Sequence, residues 1–309
     1  MIDIYDLRDC PPSGRLYGGR AGRKEGILVN GEPWIAKYPR STRDLKGRGL
    51  PSYTSSPLSE YLGSHIYKLL GIPAHETRLG YRDGKIVCAC RDFTYPDLVL
   101  YEFSKVKTTM DDDASGGFHD SPSDGASTFL TDVLSTIETS PLLQAIPGVR
   151  ERFWDMFVVD ALIKNPDRNN GNWGLLWDRR GYRLAPVYDN GSSLFSKRSD
   201  SLFERRAGNP QAEEEDAFGT NVSAYLTLNA RGETRHIHPF SYMEETVNAD
   251  LSSAVSRVAA RVDLVDIEKL FDGVPAEAYG WDILSEGRKA AQLALLRKRV
   301  ERLERLARR

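Results

Sequence analysis

Asp167 and Asn172 lie five residues apart in Asp167-Arg-Asn-Asn-Gly-Asn172, a stretch whose composition marks a loop. Phosphoryl transfer needs a carboxylate beside the attacking hydroxyl and oxygen ligands for magnesium. An Asp five residues before an Asn, on a loop that follows a helix, is the D-x-x-x-x-N arrangement of kinase catalytic loops. Downstream, Pro186-Val-Tyr-Asp-Asn-Gly191 places Asp189 before a glycine turn, where kinases carry their metal-binding aspartate. Asp189 and Asn172 together offer the hard oxygen donors that magnesium prefers. Asp, Asn and Gly are also ordinary loop residues, so the spacing alone is weak. Its weight comes from the order: helix, D-x-x-x-x-N loop, hairpin, Asp-x-Gly, all after a β-rich region with a strand lysine.

That lysine is Lys37, where an ammonium could neutralise nucleotide phosphates. Glu60, in the first turn of the next helix, is its natural ion-pair partner. A favourable interaction of Glu60 with the helix N-terminus explains that residue equally well. Upstream, Tyr17-Gly-Gly-Arg-Ala-Gly-Arg-Lys-Glu-Gly26 holds four glycines in ten residues. Glycine lets backbone amides approach phosphates closely, but the stretch matches neither G-x-x-x-x-G-K-[ST] nor G-x-G-x-x-G. Arg91, Asp92 and Phe93 end a second hairpin and are expected between two lobes, lining an adenine slot.

The elements that must hold these residues fall into two groups. Residues 26–38 predict a hairpin turning at Asn30-Gly31, with Pro39 stopping its return strand. Ser56-Pro57 opens a helix that Gly71 closes, and Thr77–Tyr81 with Lys85–Cys90 form another hairpin across Arg82-Asp83-Gly84. After the acidic segment 111–128 the pattern changes. Phe153, Trp154, Phe157, Val158, Ala161 and Leu162 recur at the spacing of a strongly amphipathic helix, which Asn165-Pro166 ends. A long basic helix over 286–309 finishes the chain, and its leucine stripe is expected to pack on its own domain. Residues 111–128, with five Asp and no Lys or Arg, and the charged run 196–216 are expected to be loosely ordered. The fold class is α+β and bilobal, with a small β-rich lobe over 1–103 and a larger helical lobe over 104–309.

Composition narrows the function classes. The chain has 309 residues, 42 Lys+Arg against 44 Asp+Glu, and a net charge of -2. No global basic field advertises a nucleic-acid partner. No apolar run approaches the ~20 residues of a membrane span, and the N-terminus has no secretory pattern. Three cysteines without metal spacing exclude a disulfide scaffold and point to a reducing, cytoplasmic setting. His236 and His238 alternate without a third ligand and are expected to be exposed strand histidines.

The chain resembles the HipA-like serine/threonine kinases, including their short CtkA-type members. The resemblance runs through Gly18-Gly19-Arg20-Ala21-Gly22, Ala-Lys-Tyr-Pro around Lys37, Ser59-Glu60-Tyr61 and Leu70-Gly-Ile-Pro73. It continues through Cys90-Arg-Asp-Phe93 and, more specifically, the Asp167–Asn172 and Pro186–Gly191 motifs. It implies a kinase-like bilobal fold and ATP- and magnesium-dependent transfer to Ser or Thr of a protein substrate. It makes Asp167 the catalytic base and Asn172 and Asp189 the metal ligands. Lys37, with the Gly18–Gly22 stretch, Glu60, Arg91, Asp92, Phe93 and Asn169, would serve ATP. A cognate antitoxin is a further expected partner. Two rival activities are a lipid or small-molecule kinase on the same fold and a nucleotide-binding pseudokinase scaffold. The intact set of Lys37, Asp167, Asn172 and Asp189 argues against the latter.

The resemblance also implies a self-phosphorylated serine in the glycine-rich loop of the larger members. Here Gly14 to Arg40 contains no Ser or Thr. Phosphopeptide mapping of wild type against Asp167→Asn is therefore expected to place any self-phosphate at Ser13 or among Ser192, Ser193, Ser196, Ser199 and Ser201. There Arg205 and Arg206 could pair with it. An Asp167-dependent phosphate on Tyr17 is the contrary outcome.

Overall fold

The computed structural model describes residues 1–18, 22–45, 50–114 and 128–309. Strands β1 (Tyr5–Asp6), β2 (Lys24–Val29), β3 (Glu32–Lys37), β4 (Thr77–Arg82) and β5 (Lys85–Arg91) form one sheet in the order β1-β4-β5-β3-β2. Both expected hairpins are present. Asn30 and Gly31 (φ 53° and 81°) and Asp83 and Gly84 (φ 46° and 68°) supply the paired left-handed residues of tight two-residue turns. Helix α1 (Ser56–Leu69) starts at the Ser-Pro signal and is covered by β4 and β5. Cys88 and Cys90 are buried with their sulfurs 3.9 Å apart, and pack as free thiols.

Strand β6 (Val99–Glu102), on the first side of a boundary at residue 103, pairs instead with β7 (Gly174–Asp178), which pairs with β8 (Gly181–Leu184). The chain thus crosses between the two sheets at residues 92–98. Helix α2 (Phe103–Ala114) runs four residues into the acidic segment expected as a linker. Residues 115–127 of that segment lie outside the described residues.

Helices α3 (Leu130–Thr139) and α4 (Pro141–Gln144) lead to α5 (Val149–Ile163), where the observed burial differs from the amphipathic expectation. From Phe153 to Ile163 every residue of α5 is buried, including Asp155 and Asp160. A helix apolar on nearly all sides belongs in a core, and α5 packs against α8 (Pro239–Glu245), α9 (Ala249–Arg261) and α11 (Glu286–Ala307). One continuous core includes Leu58, Leu62 and Ile66 of α1, Phe153 to Ile163 of α5, and Leu296, Val300 and Leu303 of α11. The two lobes therefore share a core. Helix α11 docks its stripe on its own domain, as expected. Its wholly buried Arg299 donates to the Ala217 carbonyl and to those of Ala161 and Leu162, the latter two being orphan acceptors at the C-terminal end of α5.

Between β9 (Leu226–Leu228) and β10 (Thr234–His236) lies a short turn, and His236 and His238 are exposed. Helix α10 (Leu264–Gly273) and the small hairpin β11 (Glu277–Ala278)–β12 (Trp281–Asp282) return to the first lobe. There Tyr279 stacks on Tyr81 at 4.4 Å between ring centres, and the Ile2 amide donates to Gly273 at 2.6 Å.

Residues 196–216 depart from the loose order that composition implies. They contain α6 (Asp200–Arg206) and α7 (Pro210–Glu214), the latter continued by a wide turn over Glu215–Gly219. Asp216 accepts from Arg198 at 2.6 and 2.7 Å and from Arg206 at 3.0 Å. The charges pair with one another instead of demanding water, so polarity alone misjudges the segment. Phe203, 1% exposed, is its apolar anchor beside Phe195. Phe203→Ala is expected to cost about 3–5 kcal/mol in denaturant unfolding, as a core aromatic does. A loss below about 0.5 kcal/mol, the range of surface changes, would return the segment to a loosely held surface run.

Candidate active site

Asp167 lies on the loop that follows α5. The helix stops at Lys164, which takes a left-handed φ of 53°, and Pro166 then forbids a helical continuation. The Asn165 side chain accepts the Asp167 amide at 3.2 Å. The Asn169 amide nitrogen reaches the Asp167 carboxylate at 3.2 Å, and the Asn172 amide nitrogen donates to the Asp167 carbonyl at 2.6 Å. Asparagines as well as the backbone therefore orient Asp167. The amide oxygen of Asn172, the atom a hard cation takes, is the opposite end of a group already anchored.

Arg168, the next residue, points inward and is 2% exposed. Its guanidinium pairs with buried Asp160 of α5 at 2.9 Å and donates to the Asn172 carbonyl at 2.7 Å. It also donates to the Tyr188 carbonyl and to the Asn190 side chain. Asp160 receives Tyr67 of α1 at 2.8 Å and Asn165 at 3.0 Å as well. One buried cation thus ties the Asp167 loop to the residues on either side of Asp189.

Lys37 and Asp189 meet across the cleft. The Lys37 ammonium hydrogen-bonds the Asp189 carboxylate and lies 3.1 Å from Glu60. The expected Lys37–Glu60 pair is therefore formed, and the helix-terminus alternative for Glu60 is unneeded. Glu60 also accepts the backbone amide of Asn190 at 3.0 Å. This close approach requires glycine at two places. A Cβ on Gly191 would sit 3.0 Å from the Glu60 carboxylate, and one on Gly63 would sit 2.9 Å from Asn190. Burial alone would pull the Lys37 ammonium down, but the Asp189 and Glu60 carboxylates offset it and hold it well above its usual range. Burial would likewise raise Glu60 and Asp189, yet facing Lys37 keeps both below ordinary carboxylates.

The remaining expected nucleotide residues are placed unequally. Gly19, Arg20 and Ala21 lie outside the described residues. Gly22 is left-handed (φ 77°), and the carbonyl of Gly18 accepts from Lys24 at 3.2 Å. Asp92 is buried and accepts from Arg15 and Tyr17, each at 2.8 Å, so it anchors the start of the glycine-rich stretch. Phe93 packs on Tyr188, next to Asp189, at 5.7 Å between ring centres. Arg91 turns to half-buried Glu32 (2.7 Å) and Glu76 (3.4 Å), rather than to the other members of the set. Of the serines after Asp189, Ser193 and Ser196 are buried, whereas Ser192 lies 3.4 Å from the Asp167 carboxylate.

Sequence inspection passed over Asp160, Arg168, Ser64, His75 and the side chain of Asn190. Arg168 and Asn190 adjoin the motif aspartates, and an arginine inside the Asp–Asn motif was a usable signal. Asp160 was hidden inside an apolar helical run, where its charge read as an interruption of the pattern. Ser64 and His75 carried no local signal.

Two lobes meeting at a lysine–carboxylate cleft, with an Asp–Asn loop beneath it, define a protein-kinase-like phosphotransferase architecture. Residues 21–263 match the family described as the HipA-like C-terminal domain, and the chain belongs to that family. It is 32% identical over 277 residues to the serine/threonine-protein kinase CtkA of Helicobacter pylori strain J99, covering 89% of this chain and 79% of that protein. The crystal structure of the H. pylori proinflammatory kinase CtkA superposes with a TM-score of 0.82 at 27% identity, covering 99% of each chain. HipA from Shewanella oneidensis MR-1, solved with HipB and operator DNA, shares the fold. Its TM-score is 0.53 at 14% identity, over 97% of this chain and 70% of that one.

The charge balance at Lys37 gives a pH test. In wild type the two carboxylates are held low, so their stabilisation is present above the unfolded carboxylate value of about 4 and lost as pH falls below it. Lys37→Met leaves two buried carboxylates without their cation, which raises at least one above its unfolded value. That stabilisation is present at low pH and lost as pH rises. The stability gap between wild type and variant is therefore expected to shrink on acidification from about pH 7 to about pH 4. Its slope should approach 1.4 kcal/mol per pH unit per proton, about 2.303RT, read by urea unfolding. A gap that stays constant would mean that Lys37 does not hold the carboxylates.

Proposed function

We propose that this chain is a HipA-like serine/threonine protein kinase that moves the γ-phosphoryl group of ATP to a hydroxyl of a protein substrate. The observation that carries this is the joining of the Asp167 loop and the Asp189 segment through one buried guanidinium, with Lys37 facing Asp189 from the other lobe. The family membership and the similarity to CtkA support the same conclusion.

In this assignment Asp167 accepts or orients the proton of the attacking hydroxyl. Asn169 and Asn172 keep its carboxylate and backbone in place. Lys37 places positive charge where phosphate oxygens would lie, and Glu60 holds that ammonium. The Asp189 carboxylate and the Asn172 amide oxygen are a hard donor pair suited to magnesium, which would supply charge neutralisation at the phosphates. Rate enhancement comes mainly from positioning and fixed charge. No described helix is long and apolar enough to cross a membrane. An antitoxin partner has only the fold shared with the Shewanella HipA as its support.

Asp167→Asn and Asp189→Asn separate the assigned roles. Each is expected to lower phosphate transfer by about a hundredfold or more, the range of general-base and metal-ligand losses. The former should keep magnesium-dependent nucleotide binding and the latter should weaken it, as measured by calorimetry and radiolabel transfer to lysate protein. Near-wild-type turnover in either variant would end the assignment. Label passing to lipid instead of protein would select the lipid-kinase alternative.

A further inference from the structure

His75 is buried (4% exposed) where the loop after α1 meets the segment that carries Asp189. Its backbone amide donates to the Val187 carbonyl at 2.9 Å, and the Val187 amide donates to Pro73 at 2.8 Å. The His75 backbone is thus clamped to Val187, two residues before Asp189. Nε2 lies 3.0 Å from Glu60 Oε1 and 3.0 Å from the Ser64 hydroxyl. Ser64 in turn accepts the side-chain amide of Asn190 at 2.9 Å.

The proton count defines what His75 can do here. Glu60 is ionised and acts only as an acceptor, so Nε2 must carry the hydrogen. Glu60 Oε1 is then held from two sides, by the Nε2–H of His75 and by the Asn190 amide, while Oε2 faces Lys37. Without the imidazole donor, the carboxylate could rotate about its last torsion and release Lys37. Ser64 gives the same imidazole a second link, through Asn190 to Arg168. A continuous buried path therefore runs from the lysine of one lobe to the catalytic loop of the other, and His75 stands at its branch point.

We propose that His75 is a positioning residue for phosphoryl transfer. It fixes the Glu60 carboxylate that aims Lys37 and, with Ser64, the Asn190 turn that aims Asp189. It touches neither nucleotide nor acceptor. This inference rests on the kinase assignment for its kinetic readout, but not for its structural and affinity readouts.

The test compares His75→Leu, His75→Gln and Ser64→Ala. Leucine fills the site without a donor, whereas the glutamine amide can place N–H near the position of Nε2. In nucleotide-free wild type, 15N NMR is expected to show His75 neutral, protonated on Nε2 and bare on Nδ1. For His75→Leu, KM for ATP should rise and kcat fall, each about tenfold per folded molecule, the scale of one lost charge-assisted hydrogen bond. Affinity for a fluorescent ATP analogue should fall in parallel. His75→Gln should recover most of both effects, and Ser64→Ala should show a smaller loss in the same direction. Two results overturn the proposal. One is His75→Leu with wild-type kcat, KM and affinity per folded molecule, whatever its melting temperature. The other is a folded His75→Gln no better than His75→Leu. If the leucine variant does not fold, Ser64→Ala decides alone: unchanged kinetics and affinity refute the link. Wild-type protein that binds ATP but never transfers phosphate would strike the kinase assignment and leave the affinity comparison to judge His75.

Discussion

Arg168 and Asp160 form the ion pair on which the site depends. A buried guanidinium is tolerated only if its donors are matched. Here they are matched by a helix carboxylate, two backbone carbonyls and the Asn190 amide oxygen. The partners come from α5, from the Asp167 loop and from both sides of Asp189. Removing either member would strand the other in a core whose main occupants are Leu, Val and Ile. The pair is weak evidence for stability, because matched apolar residues can fill such a space at equal or lower free energy. Its contribution is register. It gives two loops, which would otherwise be free to drift, one geometry relative to α5.

The cleft works by a related economy of charge. Lys37, Glu60 and Asp189 place one cation between two carboxylates, and each charge is tolerable only because the others are present. The Asn190 amide and the His75 imidazole take up the remaining acceptor capacity of Glu60. The result is a preorganised triad with little freedom, as a site that acts by positioning requires. The glycines at 63 and 191 belong to the same arrangement, since side chains there would push the Asp189 segment away from α1.

The lobes are less independent than a two-domain view implies. Helix α1 contributes to the same core as α5 and α11, and Tyr67 of α1 reaches Asp160 directly. From the other end of the chain, α10 and its following hairpin return to the first sheet through the Tyr81–Tyr279 stack and the Ile2–Gly273 hydrogen bond. Cleft geometry is therefore supported from the core beneath it and from behind the first lobe.

What the sequence by itself determined is local. Asn30-Gly31 and Asp83-Gly84 set their hairpins because few other residues accept paired left-handed angles. Ser-Pro opened α1, Asn165-Pro166 ended α5, and the Asp–Asn spacing with Asp-x-Gly marked the candidate site loops. These signals depend on backbone sterics or on chemistry within a few residues, so a linear reading captures them. Apart from the Lys37–Glu60 pair, tertiary structure alone decided which polar residues meet. Asp160 lies inside an apolar helix, His75 in an unremarked loop, and Arg198, Arg206 and Asp216 in a run whose composition implied loose order. Each is stable only because a partner from another element or turn arrives in the same low-dielectric space. Charge pairing across such separations leaves no periodicity and no spacing rule. A local pattern can therefore place Asp167 and Asp189 on loops, while only the folded core can bring those loops to Lys37.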